Sequence, residues 1–306
     1  MKVAMRGERE HIQIPTGRSF RVLRWQQSLR EVECVLGPDR ATSITGEGAH
    51  WHFHVEMELT LFTHGEGTRF VGDHLGTFAP GDLVLLGEKL PHYWHTRGRS
   101  SGLSVQWHFP ESHPFWAFPE TLALTELFKL ANRGLHITGR TASEVALLLH
   151  ALPSHTGATQ LATLLQLLGR LSTAPEADRR SLSTRSFVLP ASSQYQDAIA
   201  RAVRYLVANF REEIRLETVL ALTGMSRPTF ARQFKQHSGR TFSEFLNRLR
   251  CQTACRDLEQ SDRSILDIAL GCGFTQVSFF NRLFRRLMRC SPSQFRARRR
   301  RRSVRV

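Results

Sequence analysis

GFTQVSFFNRLFRRLMRCSPSQF, residues Gly273 to Phe295, contains a helix whose two faces differ in kind. Ile265-Leu266-Asp267-Ile268-Ala269 and then Gly271-Cys272 lie just upstream. The pattern predicts a short helix, a glycine turn, and a second helix from about Gln276 to Leu287. Phe280, Phe284 and Leu287 recur at i, i+4 and i+7 and form one apolar face. Ser278, Asn281, Arg282 and Arg285 fall on the other side. Ala269 stands four residues before Gly273, where a small side chain lets two crossing helices approach. This is a helix-turn-helix pattern, with the second helix offered to a DNA major groove.

Charge supports a polyanionic partner. The 306 residues carry a net charge of +15. From Tyr195 onward 23 Lys and Arg face 9 Asp and Glu, so this last third holds a surplus of 14. A basic domain gains affinity for nucleic acid by releasing counterions from bound phosphates. The arginine run Arg298–Arg302 reads as a solvated tail.

The same region repeats itself. Gly224-Met225-Ser226 matches Gly273-Phe274-Thr275, and Arg232 and Phe234 match Arg282 and Phe284. A short helix over Glu217–Thr223 and a second over Arg227–His237 are predicted, with Pro228 in the first turn and Phe230 and Phe234 inward. A long helix capped by Thr241 or Ser243 and running to Leu258 joins the halves. Two such units would address successive major-groove segments. Arg232, Ser278, Asn281 and Arg282 are the candidate base-reading residues, since Arg forks onto guanine and Asn onto adenine. Arg227, Thr229, Lys235, Gln276 and Arg285 are candidate phosphate contacts, which position without specifying.

These residues resemble the AraC/XylS family of bacterial transcription regulators over about Tyr195–Arg298. The likeness also takes in Gly239, Arg250, Ile268-Ala269, Ser291-Pro292 and Phe295-Arg296. It implies a double helix-turn-helix reader of double-stranded DNA fused to a sensing or dimerising domain. Activation through RNA polymerase is the family's common mode. Leu220 stands where the family usually has alanine, so the first pair of helices must cross differently or find extra room. Arg289 replaces a glycine before Ser291-Pro292, which predicts a different helix end.

Upstream, the texture is β. A strand is predicted at Ser19–Trp25, and short strands punctuated by glycine run from Thr42 to Pro110, as in a small barrel or sandwich. Trp51-His52-Phe53-His54-Val55 alternates, so His52, His54 and Glu58 share one face and His92 faces them from another strand. Gly46-x5-His52-x-His54-x3-Glu58-x6-Gly65 resembles the first motif of cupin sensor domains. The second motif is partial, with Gly87-Glu88-Lys89 replacing the usual PxG before His92. Three imidazoles and a carboxylate suit a divalent zinc, nickel, manganese or iron ion. The same residues also suit a metal-free effector pocket, with Arg69, Tyr93, Trp94 and Trp107 as further lining, or a structural histidine set.

The expected architecture is α+β. A cupin-like β-barrel occupies 1–118, a leucine-rich helical segment for homodimerisation 119–171, and a linker 172–193. The two-unit DNA-binding domain follows over 194–298, with a basic tail at 299–306. The five cysteines show no CxxC pair and are expected as buried free thiols. The chain shows neither a signal-peptide pattern nor a run of about 18 apolar residues, so a cytoplasmic protein is expected. The whole reads as a transcription regulator that responds to a small-molecule effector and is not an enzyme. The alternative is a metal-dependent cupin enzyme joined to a DNA-binding domain.

Overall fold

The computed structural model describes residues 12–45, 48, 50–187 and 195–303, with backbone alone for Thr45 and residues 298–303. Gly46 of the first motif, the end of the expected linker (188–193) and residues 304–306 lie outside them. The chain divides into two compact units between Asp197 and Ala198.

The first unit begins with β1 (Phe20–Trp25), β2 (Glu31–Gly37), β3 (Arg40–Thr45), β4 (Met57–His64), β5 (Gly67–Val71), β6 (His74–Phe78), β7 (Asp82–Leu86), β8 (His92–Thr96) and β9 (Ser101–Trp107). It continues with α1 (Leu124–Ala131), β10 (Leu135–Ile137), α2 (Gly139–Ala151), α3 (Gly157–Ser172) and β11 (Arg179–Ser181). The strands form an eight-stranded sheet, β11-β10-β7-β4-β9-β1-β2-β3, and a three-stranded sheet, β6-β5-β8. Pairing is antiparallel throughout.

The large sheet is buried on both faces along its centre, and strand parity decides what each face meets. Val22, Leu59, Leu61, Leu83, Leu85, Leu103, Val105 and Trp107 pack against the leucines of α1, α2 and α3. Residues of opposite parity on the same strands (Leu23, Trp25, Phe62, Val84 and Leu86) belong to a second apolar cluster with Trp94 of β8.

Several expectations change. β2 and the start of β3 precede Thr42, so the β-region opens earlier than predicted. Trp51–Val55 is not a continuous strand; it touches the small sheet through the single bridge His52↔His92. The segment 119–171 is not purely helical, because β10 pairs with β7. The first part of the expected linker belongs to the sheet: β11 pairs with β10. Just before it, Asp178 accepts hydrogen bonds from the Thr141 N–H (3.0 Å) and hydroxyl (2.8 Å) in the first turn of α2. A polar stretch with two prolines hid these roles, since short edge strands and caps carry little periodicity.

The second unit is helical: α4 (Gln196–Asn209), α5 (Leu216–Thr223), α6 (Arg227–Ser238), α7 (Phe242–Gln260), α8 (Ile265–Gly271), α9 (Val277–Met288) and α10 (Pro292–Ser303). Ser226 caps α6 and Ser264 caps α8 through side-chain oxygens. Thr241 and Glu244 form a reciprocal capping box at the start of α7. α10 continues helical through Ser303, so the backbone of most of the arginine run is not an irregular tail.

Arg289 corrects another expectation. It ends α9 at φ 57° and ψ 21°, the left-handed conformation that Gly239 adopts after α6 at φ 73°. The helix end is therefore the same one, made without the glycine. Lys89 does likewise at φ 56°, in the tripeptide that replaces PxG before His92. An L-residue held in this region costs about 1–2 kcal/mol.

Candidate functional site

The two helix-turn-helix units are built alike. Phe230 and Phe234 of α6 and Phe280 and Phe284 of α9 are fully buried, which fixes the rotation of each second helix. Arg227, Arg232 and Lys235 are thereby left exposed on α6, and Ser278, Arg282 and Arg285 on α9, with Gln276 exposed at the latter's N-cap. Thr229 and Asn281 are half-buried. Thr229 is also committed to its helix cap, 3.0 Å from the Ser226 hydroxyl. Arg227 reaches Glu217 of α5 at 3.0 Å. The Arg282 guanidinium lies 5.7 Å from the Phe279 ring centre, which limits its freedom before any partner arrives.

The turns differ. Gly224 has φ 69° with open space where a Cβ would be. Gly273 has φ 85°, and a Cβ there would lie 2.5 Å from the Phe210 carbonyl oxygen and 2.9 Å from that of Arg211. Arg250 of α7 ties the same loop down, donating to the Phe210 carbonyl at 2.7 Å and the Glu212 carbonyl at 2.8 Å. Leu220, the first unit's counterpart of Ala269, is half-buried and so finds room at the edge of its core; Ala269 is fully buried.

In the first unit His52, His54 and His92 are all buried, and one ring nitrogen from each lies within 4.8 Å of the others. Their Nδ1 atoms face backbone carbonyls: His50 at 2.7 Å, Glu56 at 2.9 Å and Leu90 at 2.8 Å. A carbonyl only accepts, so Nδ1 carries the proton in each ring, and neutral His92 presents an unprotonated Nε2. Glu58 Oε2 lies 3.2 Å from His54 Nε2 and 3.8 Å from His92 Nε2. Buried His92 Nε2 makes no hydrogen bond. Burial, with the His52 ring beside it, pushes His92 down to about 3, so this imidazole is neutral. Burial works to raise the Glu58 carboxyl, but the contact with His54 and the hydrogen bond from Thr60 hold it below the ordinary carboxylate range. The unprotonated His92 Nε2 and the Glu58 carboxylate, 3.8 Å apart, would both be satisfied by a cation between them.

A small cavity of about 40 Å³ adjoins this cluster. His52, Glu58 and His92 line its polar side, and Trp25, Leu29, Val32, Phe62 and Trp94 its apolar side. Gln106 donates to Glu58 at 2.5 Å and Thr60 donates to Glu58, with the Ser104 hydroxyl 3.1 Å from that of Thr60, while the buried indole N–H groups of Trp25 and Trp94 have no hydrogen-bond partner. Arg21 holds Gln106 in turn at 2.6 Å.

Four expected lining residues are not on the cavity wall, and His54 belongs to the histidine cluster beside it. Arg69 is buried against Asp82. Trp107 packs on the helix side with Phe128. Tyr93 stacks on Phe70. Trp107 shares its parity with Leu103 and Val105, whereas Ser104 and Gln106 face the cavity. The same parity, carried from Glu58 to Thr60 along β4, would have found the missed polar lining.

A helix-turn-helix domain family matches residues 219–298. The HTH-type transcriptional activator RhaS of Salmonella arizonae is 27% identical over 253 residues, covering 80% of this chain and 86% of that protein. RhaS of Salmonella schwarzengrund is 26% identical over the same shares. Among solved structures, the DNA-binding domain of AdpA in complex with a target DNA is 34% identical, covering 34% of this chain and 95% of that one, with a TM-score of 0.33. ToxT from Vibrio cholerae O395 is 12% identical, covering 91% and 97%, with a TM-score of 0.34.

Proposed function

The chain is an AraC/XylS-family DNA-binding transcription regulator, and on that premise we propose that it reads promoters with both α6 and α9 under control of a small-molecule pocket. One observation carries the two-unit reading. Both second helices turn a phenylalanine pair inward and a cationic face outward. Arg232, Asn281, Arg282 and Ser278 are assigned to bases, and Arg227, Thr229, Lys235, Gln276 and Arg285 to phosphates. Replacing Arg282 by alanine is expected to weaken operator binding by about 1–3 kcal/mol and relax specificity at one base position. Gel-shift titrations against the operator and its point variants measure both; unchanged affinity rejects the assignment.

The first unit is read as a cupin-like sensor. His52, His54 and His92, whose ring nitrogens gather within 4.8 Å of one another with the Glu58 carboxylate beside them, fit a divalent transition metal. A bound ion would supply a Lewis-acidic anchor for an effector's oxygen or nitrogen. Trp25, Phe62 and Trp94 hold the effector's body, and the unpartnered indole N–H groups of the two tryptophans call for acceptor atoms on it, so a mostly apolar molecule carrying an oxygen or nitrogen acceptor fits better than a polyol. The purified chain is expected to carry about one equivalent of metal, and His92→Ala to lose it while keeping its fold. Elemental analysis beside circular dichroism decides this, and metal-free wild type that stays metal-free on addition of zinc sinks the reading. The relatives matched along most of the chain are activators, so the unit is assigned to sensing and not to turnover, with RNA polymerase as the partner.

Homodimerisation is assigned to α2 and α3. The inner face of α3 fills the core, yet its outer face carries Leu161 and Leu165, each 39% exposed, and α2 carries Leu147 at 72%. Two copies of this face bury the leucines together. Leu161→Glu with Leu165→Glu is expected to turn a dimer into a monomer in sedimentation velocity; a wild-type monomer at micromolar concentration contradicts it. No helix among the described residues is long and apolar enough to cross a membrane, and we place the protein with the DNA in the cytoplasm.

A further inference from the structure

The chain leaving β11 does not run free. Leu182 and Ser183 donate their backbone N–H groups to the carbonyls of Gly134 (2.9 Å) and Arg133 (2.8 Å). Asp73, in the turn between β5 and β6, accepts from the Ser183 hydroxyl at 2.9 Å, the Thr184 N–H at 2.8 Å and the Thr184 hydroxyl at 2.5 Å. Gly72 makes room for this docking: a Cβ there would lie 2.7 Å from both the Phe187 ring and the Ser183 hydroxyl.

The same turn is bound to the pocket wall. Gly72 donates to the Pro91 carbonyl at 2.7 Å, and Val71 pairs with His92 in the β5–β8 ladder. Leu182 and Phe187 are buried in one apolar cluster with Phe62 and Trp94, which line the cavity. Displacing β8 therefore moves both the polar hold and the apolar seat of this segment.

We propose that residues 182–187 form a releasable clasp whose docking on the β5–β6 turn depends on the state of the pocket at His92 and Trp94. This rests on the pocket being a ligand site. Release frees residues 182–187, adding up to ~20 Å of extended chain ahead of α4 at ~3.4 Å per residue. That changes which half-site separations a dimer can span. By linkage, whatever tightens the pocket tightens the clasp, and a broken clasp weakens the pocket's affinity by the same factor.

Hydrogen exchange of the full chain, followed by mass spectrometry on peptides covering 182–187, tests it. Gly72→Ala is expected to speed exchange there at least tenfold, and Trp94→Ala to do so without a change in α3. Trp94→Phe replaces it if α3 loses protection. Saturating Zn²⁺ is expected to slow the clasp at least threefold in wild type and not in Gly72→Ala. If the Trp94 variant and bound Zn²⁺ both leave the clasp within twofold of wild type while Gly72→Ala opens it, the coupling is wrong. If Zn²⁺ does not bind, the metal assignment fails and the Trp94 variant alone decides the clasp.

Discussion

Replacing Gly273 by alanine is expected to cost the second helix-turn-helix unit about 2–5 kcal/mol. Two penalties add. The first is the left-handed backbone at φ 85°, which an L-residue occupies at a cost of about 1–2 kcal/mol. The second is steric: the new methyl would lie 2.5 Å and 2.9 Å from the carbonyl oxygens of Phe210 and Arg211. Those carbonyls cannot retreat freely, because Arg250 holds Phe210 from α7. Forcing such an overlap costs about 1–3 kcal/mol more. Gly224→Ala is the internal control. Its backbone is also left-handed, at φ 69°, but its Cβ meets open space, so only the first penalty applies. Denaturant unfolding of both variants measures the difference. Equal losses would mean that the loop after α4 yields, and that the close approach at Gly273 does not shape the unit. A loss concentrated at Gly273 should also abolish operator binding by α9 before α6 is affected.

Arg69→Ala is expected to be as damaging in the first unit, at about 3–5 kcal/mol, for a different reason. Arg69 is 2% exposed, and its guanidinium binds Asp82, whose carboxylate also lies 3.3 Å from His136. Burial alone would raise the Asp82 carboxyl, but the His136 hydrogen bond and the Arg69 charge hold it below its ordinary value. Removing the arginine strands a buried carboxylate. Replacing both partners by apolar residues of similar size should restore most of the loss, since the desolvation cost disappears with the charges. Thermal and denaturant unfolding of the single and double variants separates this structural role from the effector contact expected at Arg69. A variant of near wild-type stability that no longer answers an effector would return Arg69 to the pocket.

The helical half was legible because each decisive feature was local. Phenylalanines at i and i+4, glycines 49 residues apart and a cationic opposite face survive any rearrangement of neighbours. The histidine cluster was legible for another reason: ring nitrogens of His52, His54 and His92 come within 4.8 Å of one another although Trp51–Val55 is not a strand. Expectations failed where burial was shared. Trp107 and Gln106 are adjacent on a strand buried on both faces, so aromatic character could not say which faced the cavity. Strand parity relative to Glu58 was the better guide. The clasp at 182–187 was hidden because its anchors come from Asp73 and Arg133, far away in the chain. Arg289 and Lys89 show that a glycine missing from a motif need not mean a missing turn. The surrounding structure holds each in the glycine's conformation, and that cost is invisible in sequence.

The central claim is that one protomer reads two neighbouring major-groove segments, one with α6 and one with α9. Base-contact interference mapping of the full chain, on an operator selected from random duplexes, tests it most directly. Two clusters of sensitive bases per protomer are predicted, about 10 base pairs apart. Arg232→Ala should erase sensitivity in one cluster and Arg282→Ala in the other. A single cluster, or both variants acting on the same bases, would contradict the account.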